Sequence, residues 1–271
     1  MSSMSQRLWL NIALAILLLV LGIGGYWASQ SLQTSKESNT LLTIKPAELN
    51  TIVVERYLDT NNPERIEFNK QGKTWLMAKP YAVEANPVKI TQLITLIQEP
   101  IITSYAVESL DLASFDLNPL KTQLIFNGQL IGFGKSNPVT TQRYLLVNNQ
   151  LVLVSEVISG LLSGSTLDLV ARTLIPSHTE VQEVIFPNGT RSTNFDLRSD
   201  WQSASAIGVE SVANVAPDLP VVELKLKDNQ PIRFQIERTE QDLKLTNREM
   251  GLTYRLPANW ASKLLPALSN P

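Results

Sequence analysis

Cysteine is absent from all 271 residues. Disulfides, thiolate nucleophiles, cysteine-ligated zinc and a lipid-bearing cysteine are excluded with it. Histidine occurs once, at His178, so a zinc site would have to draw on carboxylates such as Glu180 and Glu183. The Gly-x-Ser-x-Gly elbow is also missing, and with it a familiar mark of a serine nucleophile. Charge is scarce at the start, where Arg7 is the sole charged side chain before Lys36. The remainder carries 22 basic and 25 acidic residues, a net of −3. Neither sign gathers into the clusters that track a phosphate backbone, so nucleic acid is not expected as a partner.

The same shortage of charge leaves a long apolar run. Leu8–Trp27 reads LWLNIALAILLLVLGIGGYW, with Asn11 as its single polar side chain. A helix of twenty residues spans about 30 Å, the thickness of a hydrocarbon core. Leu8, Leu14, Leu18 and Leu21 supply apolar surface, while Trp9 and Trp27 stand at the two ends as interfacial aromatics. A single-pass transmembrane anchor in the lipid bilayer is predicted here. A cleaved signal peptide fits less well: its apolar region runs about 7–15 residues, and cleavage after Ala28 would put bulky Tyr26 two residues before the cut residue. Arg7 and the α-amino group precede the run, and the first charges after it, Lys36 and Glu37, offset each other. The positive-inside bias makes Arg7 the topology determinant, with the N-terminus in the cytoplasm and the large domain outside it.

Residues 1–27 are thus expected to form a cytoplasmic tip and anchor. Residues 28–40 (ASQSLQTSKESNT) are polar and lack apolar periodicity; as a coil this tether reaches roughly 20 Å. About 230 residues follow, enough to bury on the order of 75% of their unfolded surface. Strand signals begin at Thr51–Leu58 and Arg65–Asn69, and the Lys70-Gln71-Gly72-Lys73 turn leads on to Trp75 as in a hairpin. Asn86-Pro87 reads as a helix start, with Ile90, Leu93, Ile94 and Ile97 recurring at helical spacing until Pro100. Short strands at 123–126, 130–133, 144–147 and 151–154 come next, followed by helical stretches at about 156–162 and 167–174. The C-terminal third resembles this plan: 184–186 and 194–197 are read as strands leading to Trp201, and further strands occupy 221–226, 232–237, 243–246 and 253–256. The expected fold is α+β, a single transmembrane helix and then a β-rich body of short antiparallel strands with a few packing helices. That body divides into two related modules, 41–176 and 177–271, joined near Pro176.

Within the first module, Ile66-Glu67-Phe68 leads to Trp75, Pro80 and the Ala85-Asn86 helix start. Phe115-Asp116-Leu117-Asn118-Pro119, Phe133-Gly134-Lys135 and Arg143-Tyr144 follow. On these stretches the segment from about Leu42 to Pro176, half of the chain, resembles the bacterial family catalogued as domain of unknown function 4340. The family pattern often reads Gly-Leu-x-Pro where this chain has Asp116-Leu117-Asn118-Pro119. The resemblance implies a membrane-attached domain facing the bacterial envelope, hence an inner-membrane protein with a periplasmic body. Some relatives look like auxiliary parts of transport or gliding-motility systems. It brings no catalytic residue and no cofactor.

Several constellations invite a sharper reading. Gly132-Phe133-Gly134-Lys135-Ser136 looks like the end of a phosphate-binding loop, but Gln129 occupies the place of the required first glycine and a strand follows where a helix should open. Glu108, Asp111 and Asp116 form an acidic cluster whose intervening Leu110, Leu112, Phe115 and Leu117 point to core packing, with the acids solvated or capping. His178 follows Pro176-Ser177 and reads as an exposed linker residue. Trp75, Trp201 and Trp260 are expected in the core rather than in a groove. Asn188-Gly189-Thr190 matches a glycosylation acceptor and is first of all a turn. With no catalytic set, metal site or cofactor motif assembled, the chain is expected to be non-enzymatic: a tethered, envelope-facing binding or assembly module beside a membrane protein partner. A periplasmic accessory subunit of a transporter is one alternative. A membrane-bound hydrolase, its site assembled only in three dimensions, is the other.

Overall fold

Alternating side chains and tight turns build two antiparallel sheets in succession. The computed structural model describes residues 40–59, 62–156, 159–212, 218–227 and 230–266. The first sheet takes β1 (Thr51–Asp59), β2 (Asn62–Gln71), β3 (Thr74–Lys79), β4 (Val83–Glu84) and β5 (Thr103–Ala106). It continues with β6 (Thr122–Phe126), β7 (Gln129–Ser136), β8 (Gln142–Val147) and β9 (Gln150–Ser155). Side by side they run β4-β3-β2-β1-β6-β7-β8-β9-β5. Register is set where the backbone turns left-handed: Asn127 and Gly128 both have positive φ between β6 and β7, as do Asn148 and Asn149 between β8 and β9. On β1 and β2 the residues Ile52, Val54, Ile66 and Phe68 face the core and are at most 1% exposed. The intervening Glu55, Arg65 and Glu67 pair with one another on the opposite face.

The second sheet takes β10 (Val181–Ile185), β11 (Arg191–Ser192), β12 (Gly208–Ser211), β13 (Val221–Leu226), β14 (Ile232–Arg238), β15 (Asp242–Asn247) and β16 (Leu252–Pro257). Its order is β11-β10-β13-β14-β15-β16-β12. The path of the first sheet is thereby repeated. Each opens on an antiparallel hairpin (β1–β2, β10–β11) and follows it with a nine-residue helix, Pro87–Thr95 or Phe195–Ser203. Each then lays an edge strand (β5, β12) against what becomes the last strand (β9, β16). A four-strand meander closes each sheet, its first strand (β6, β13) returning to the opening one (β1, β10). The first sheet differs by adding β3 and β4 at its outer margin.

The two sheets share an intermediate piece of backbone. Val170 bridges Ala85, the Asn86 amide donates to the Leu169 carbonyl at 2.7 Å, and the Ala171 amide donates to the Glu84 carbonyl at 2.9 Å. A few residues on, Thr173 bridges Ser205, and the Ala206 amide donates to the Arg172 carbonyl at 2.8 Å. One extended segment therefore joins the β4 margin of the first sheet to the approach to β12 at the margin of the second. A single buried cluster runs through both, from Leu41 to Leu265, within a compact unit that spans Leu41–Pro271.

The α+β expectation is corrected by these elements: 46% of the structure is strand and 19% helix, in two antiparallel sheets, which is a mainly β fold. The helical periodicity read at 156–162 yields a single turn, Ser159–Leu162. That at 167–174 yields a 3₁₀ turn, Thr166–Leu169, and then the extended connector, because Val170 and Ala171 find strand-like partners. Conversely, 194–197 is no strand. Asn194 accepts a hydrogen bond from the Leu197 amide and starts a helix. Among the described residues no helix is long and apolar enough to cross a membrane. The run Leu8–Trp27, with Arg7 before it and residues 28–39 after it, lies outside the described residues.

Candidate functional site

A cavity of about 300 Å³ opens at the seam between the sheets. Its walls come from β3 and β4 (Leu76, Met77, Val83), from the connector (Leu174) and from the far end of the second sheet (Met250, Tyr254). Strand alternation places these side chains. Leu252, Tyr254 and Leu256 share the inward face of β16 and are at most 3% exposed, with Phe234 edge-on to Tyr254 at 6.2 Å. On the other wall Met77 pairs with Val83 across the β3–β4 ladder.

Asn69, Gln71, Thr173, Glu84, His178 and Tyr254 interrupt this apolar lining. Glu84 ends β4 and is held by the connector, its carboxylate accepting from the Ser177 amide at 2.8 Å and the Ser177 hydroxyl at 2.6 Å. His178, the next residue, is exposed and lines the cavity. Tyr254 is 3% exposed, and its hydroxyl makes no hydrogen bond among the described residues. Burial pushes this phenol up to about 12, and the nearby Glu84 charge acts in the same direction. The hydroxyl thus keeps its proton, and its donor stands open at the cavity wall.

A second hollow, about 490 Å³, lies against β1, β6 and β7. Asp116, Phe133-Gly134-Lys135 and Arg143 meet there with Arg56 and Lys121. Much of the charge is spoken for. Arg56, 2% exposed, donates from Nε to Glu64 at 2.6 Å, from Nη1 to the Leu162 and Gly164 carbonyls at 2.6 Å each, and from Nη2 to Thr166 at 3.2 Å. Arg143 pairs with Glu156 at 2.7 Å and donates from Nη1 to the Gly134 carbonyl at 2.7 Å. Arg56 therefore pins the loop at 162–166 to the sheet, and Arg143 ties β8 to β7. Lys121 and Lys135 are exposed.

The residues singled out from sequence fall mostly into structural places. Gly132 to Ser136 belong to β7, and a Cβ on Gly134 would stand 2.4 Å from the Phe115 carbonyl oxygen. That glycine permits close packing of a loop. Asp111 caps the 3₁₀ turn Leu112–Phe115, and Asp116 closes it with φ +58°, so an aspartate adopts the left-handed turn here. Glu108 is exposed. Glu183 pairs with Lys225 and Arg191, and the Lys225 ammonium chiefly holds its carboxyl below the ordinary value. Among the described residues no three His, Asp or Glu side chains group so as to hold a metal ion. Trp201 is wholly buried and stacks on Phe234 at 6.0 Å. Trp75 and Trp260 pack partly buried against the core, with the Lys263 ammonium 5.0 Å from the Trp260 ring centre. Asn188 and Gly189 make a turn.

Sequence reasoning did not bring Glu84 and Tyr254 to the wall of one cavity. They lie 170 positions apart, and each reads as an ordinary strand residue. No family profile, curated protein or solved structure matches this chain.

Proposed function

We propose that this chain is a membrane-tethered binding or assembly module without chemistry of its own. One observation carries the reading: Glu84 in the first hollow and Arg56 and Arg143 in the second are each used to hold backbone. Glu84 fixes the connector through Ser177, Arg56 and Glu64 fix the loop at 162–166, and Arg143 with Glu156 fixes β7. A catalytic acid, base or nucleophile must be available to a substrate. These groups are committed to making a rigid two-sheet frame.

The apolar run Leu8–Trp27 and the short polar stretch behind it support attachment to a bacterial inner membrane, with Arg7 on the cytoplasmic side and the body in the periplasm. Held within a tether's reach of the bilayer, the body meets other membrane and envelope proteins at high local concentration. A transporter that takes it as an accessory subunit is one concrete partner. The likeness of 42–176 to the family of unknown function agrees with that setting.

Crosslinking in intact cells tests the reading. Photoreactive residues at exposed positions such as Tyr105 and Val139 are expected to capture one membrane protein reproducibly. A full-length chain that captures none, yet turns over an ester, peptide or glycan substrate, is the hydrolase instead.

A further inference from the structure

We propose that β5, the free margin of the first sheet, receives an extended segment of a membrane protein partner, an uncharged stretch held between basic residues. The inference rests on the reading above of a binding or assembly module, and it names the surface used and the form of the partner.

Backbone chemistry identifies the occupant as a strand. β5 is last in its sheet, with β9 as its one neighbour among the described strands. Its outer side therefore presents amide and carbonyl groups that a further strand satisfies. The other sheet margins are guarded. The connector covers β4 through the bond from the Ala171 amide to the Glu84 carbonyl. β11 is two residues long and carries Arg191, which pairs with Glu183, and β12 carries Glu210, which pairs with Arg255. On β5 all four residues are exposed, and residues 100–107 hold no charge.

Side chains supply the grip. Thr103 and Tyr105 lie opposite Leu153 and Leu151 on one face. Tyr105 is half exposed there and shares a hollow of about 260 Å³ with Leu110, Phe115, Tyr144 and both leucines. Phe115 stands edge-on to Tyr144 at 4.8 Å. Asn137 also lines the hollow and is already engaged: its amide donates to the Tyr144 hydroxyl at 3.0 Å, and its oxygen accepts from the Val139 amide at 2.9 Å. Apart from the tyrosine hydroxyls the recess is apolar, and it suits one leucine or phenylalanine side chain from a strand laid alongside.

Charge and position narrow the partner further. Glu99 and Glu108 flank the uncharged stretch, and neither makes an ion pair among the described residues. An acid at each end favours a segment with lysine or arginine at each end, whichever way it runs. The compact unit begins at Leu41, whose amide donates to the Glu99 carbonyl at 3.2 Å; the Leu42 amide donates to the Ile97 carbonyl at 3.1 Å. The chain thus enters the body beside the approach to β5. A tether that ends here keeps this margin in reach of segments that emerge from the bilayer.

The test is photocrosslinking of the full chain in intact cells, with benzoylphenylalanine at Thr103, Tyr105, Phe195 or Val221, all exposed, and the captured peptide read by mass spectrometry. One membrane protein is expected from Thr103 and Tyr105, about tenfold above the yield at Phe195 and Val221, through an uncharged segment with basic ends. With the probe at Thr103, Tyr105→Lys should lower capture about tenfold and the pair Glu99→Lys with Glu108→Lys about fivefold, the melting temperature being retained. The captured segment, made as a peptide, should slow amide exchange across 103–106 in the purified full chain in nanodiscs. Capture from Phe195 or Val221 and not from β5 overturns this inference and spares the binding module; capture from no site overturns both. A link from Thr103 to residues 28–39 or to a second copy, an acidic captured segment, or unchanged exchange across 103–106 also overturns the proposal.

Discussion

Asn86 and Asn194 hold equivalent places in the two halves of this protein. Each follows a hairpin, and each accepts hydrogen bonds from the first turn of a nine-residue helix through its side-chain oxygen. Seven residues later each helix buries a side chain completely, Leu93 in one and Trp201 in the other. Asn86→Ala and Asn194→Ala are each expected to cost about 1 kcal/mol, measured as a shift in urea midpoint. Trp201→Ala should cost about 3–5 kcal/mol, because it also removes the indole hydrogen bond to the Leu264 carbonyl. Cap substitutions with no effect on stability would deny the helices this role.

Arg56 is the most deeply placed charge described, and its clamp on 162–166 is built from side chain to backbone. Removing the arginine leaves Glu64 and two carbonyls without their donor, so Arg56→Ala should destabilise by about 3–5 kcal/mol. Chemical denaturation checks the value. A loss below about 1 kcal/mol would show that solvent readily replaces the guanidinium.

Gly134 gives a test of the glycine-rich strand. A methyl group there meets the Phe115 carbonyl and Leu117, so Gly134→Ala should cost about 1–3 kcal/mol through overpacking. Lys135→Ala, at an exposed position on the same strand, should leave stability within about 0.5 kcal/mol. A phosphate-binding loop would give the opposite emphasis, with the lysine dominant in ligand binding.

Alkaline pH isolates Tyr254. Its folded phenol titrates near 12 against an ordinary value of 10, so the folded state holds a proton that the unfolded chain gives up first. The contribution to stability is fully present below pH 10 and is lost as pH rises towards 12. The whole effect is on the order of 3 kcal/mol. Denaturation midpoints of the wild type should fall faster than those of Tyr254→Phe across that window, and equal slopes would mean that the phenol is open to solvent.

Strands were legible in the sequence wherever one face is buried and the other wet. The alternation at 51–58 and 65–69 survives in β1 and β2, and the Lys70–Lys73 turn closes the expected hairpin around left-handed Gly72. The Asn86-Pro87 start was equally plain, since cap and proline act locally. The start at Asn194 was obscured because Phe195 and Leu197 alternate with Asn194 and Asp196 like a strand; the asparagine cap and the spacing from Leu197 to Trp201 were the better signals. Edge strands β5 and β12 carry no buried periodicity, and only partners distant in sequence give them their form. The seam cavity was hidden for the same reason, its walls coming from residues 69 to 254.

Sequence alone suggests Pro176 as the place to divide this chain, yet scissors applied there would yield two unhappy halves. Upstream, the backbone that covers β4 would become a loose C-terminal tail; downstream, Ser205 and Ala206 would lose the neighbour that satisfies them. Bare sheet margins recruit whatever strand comes by, so each fragment is primed to stick to itself or to reclaim the other. The duplicated plan has become a single indivisible object.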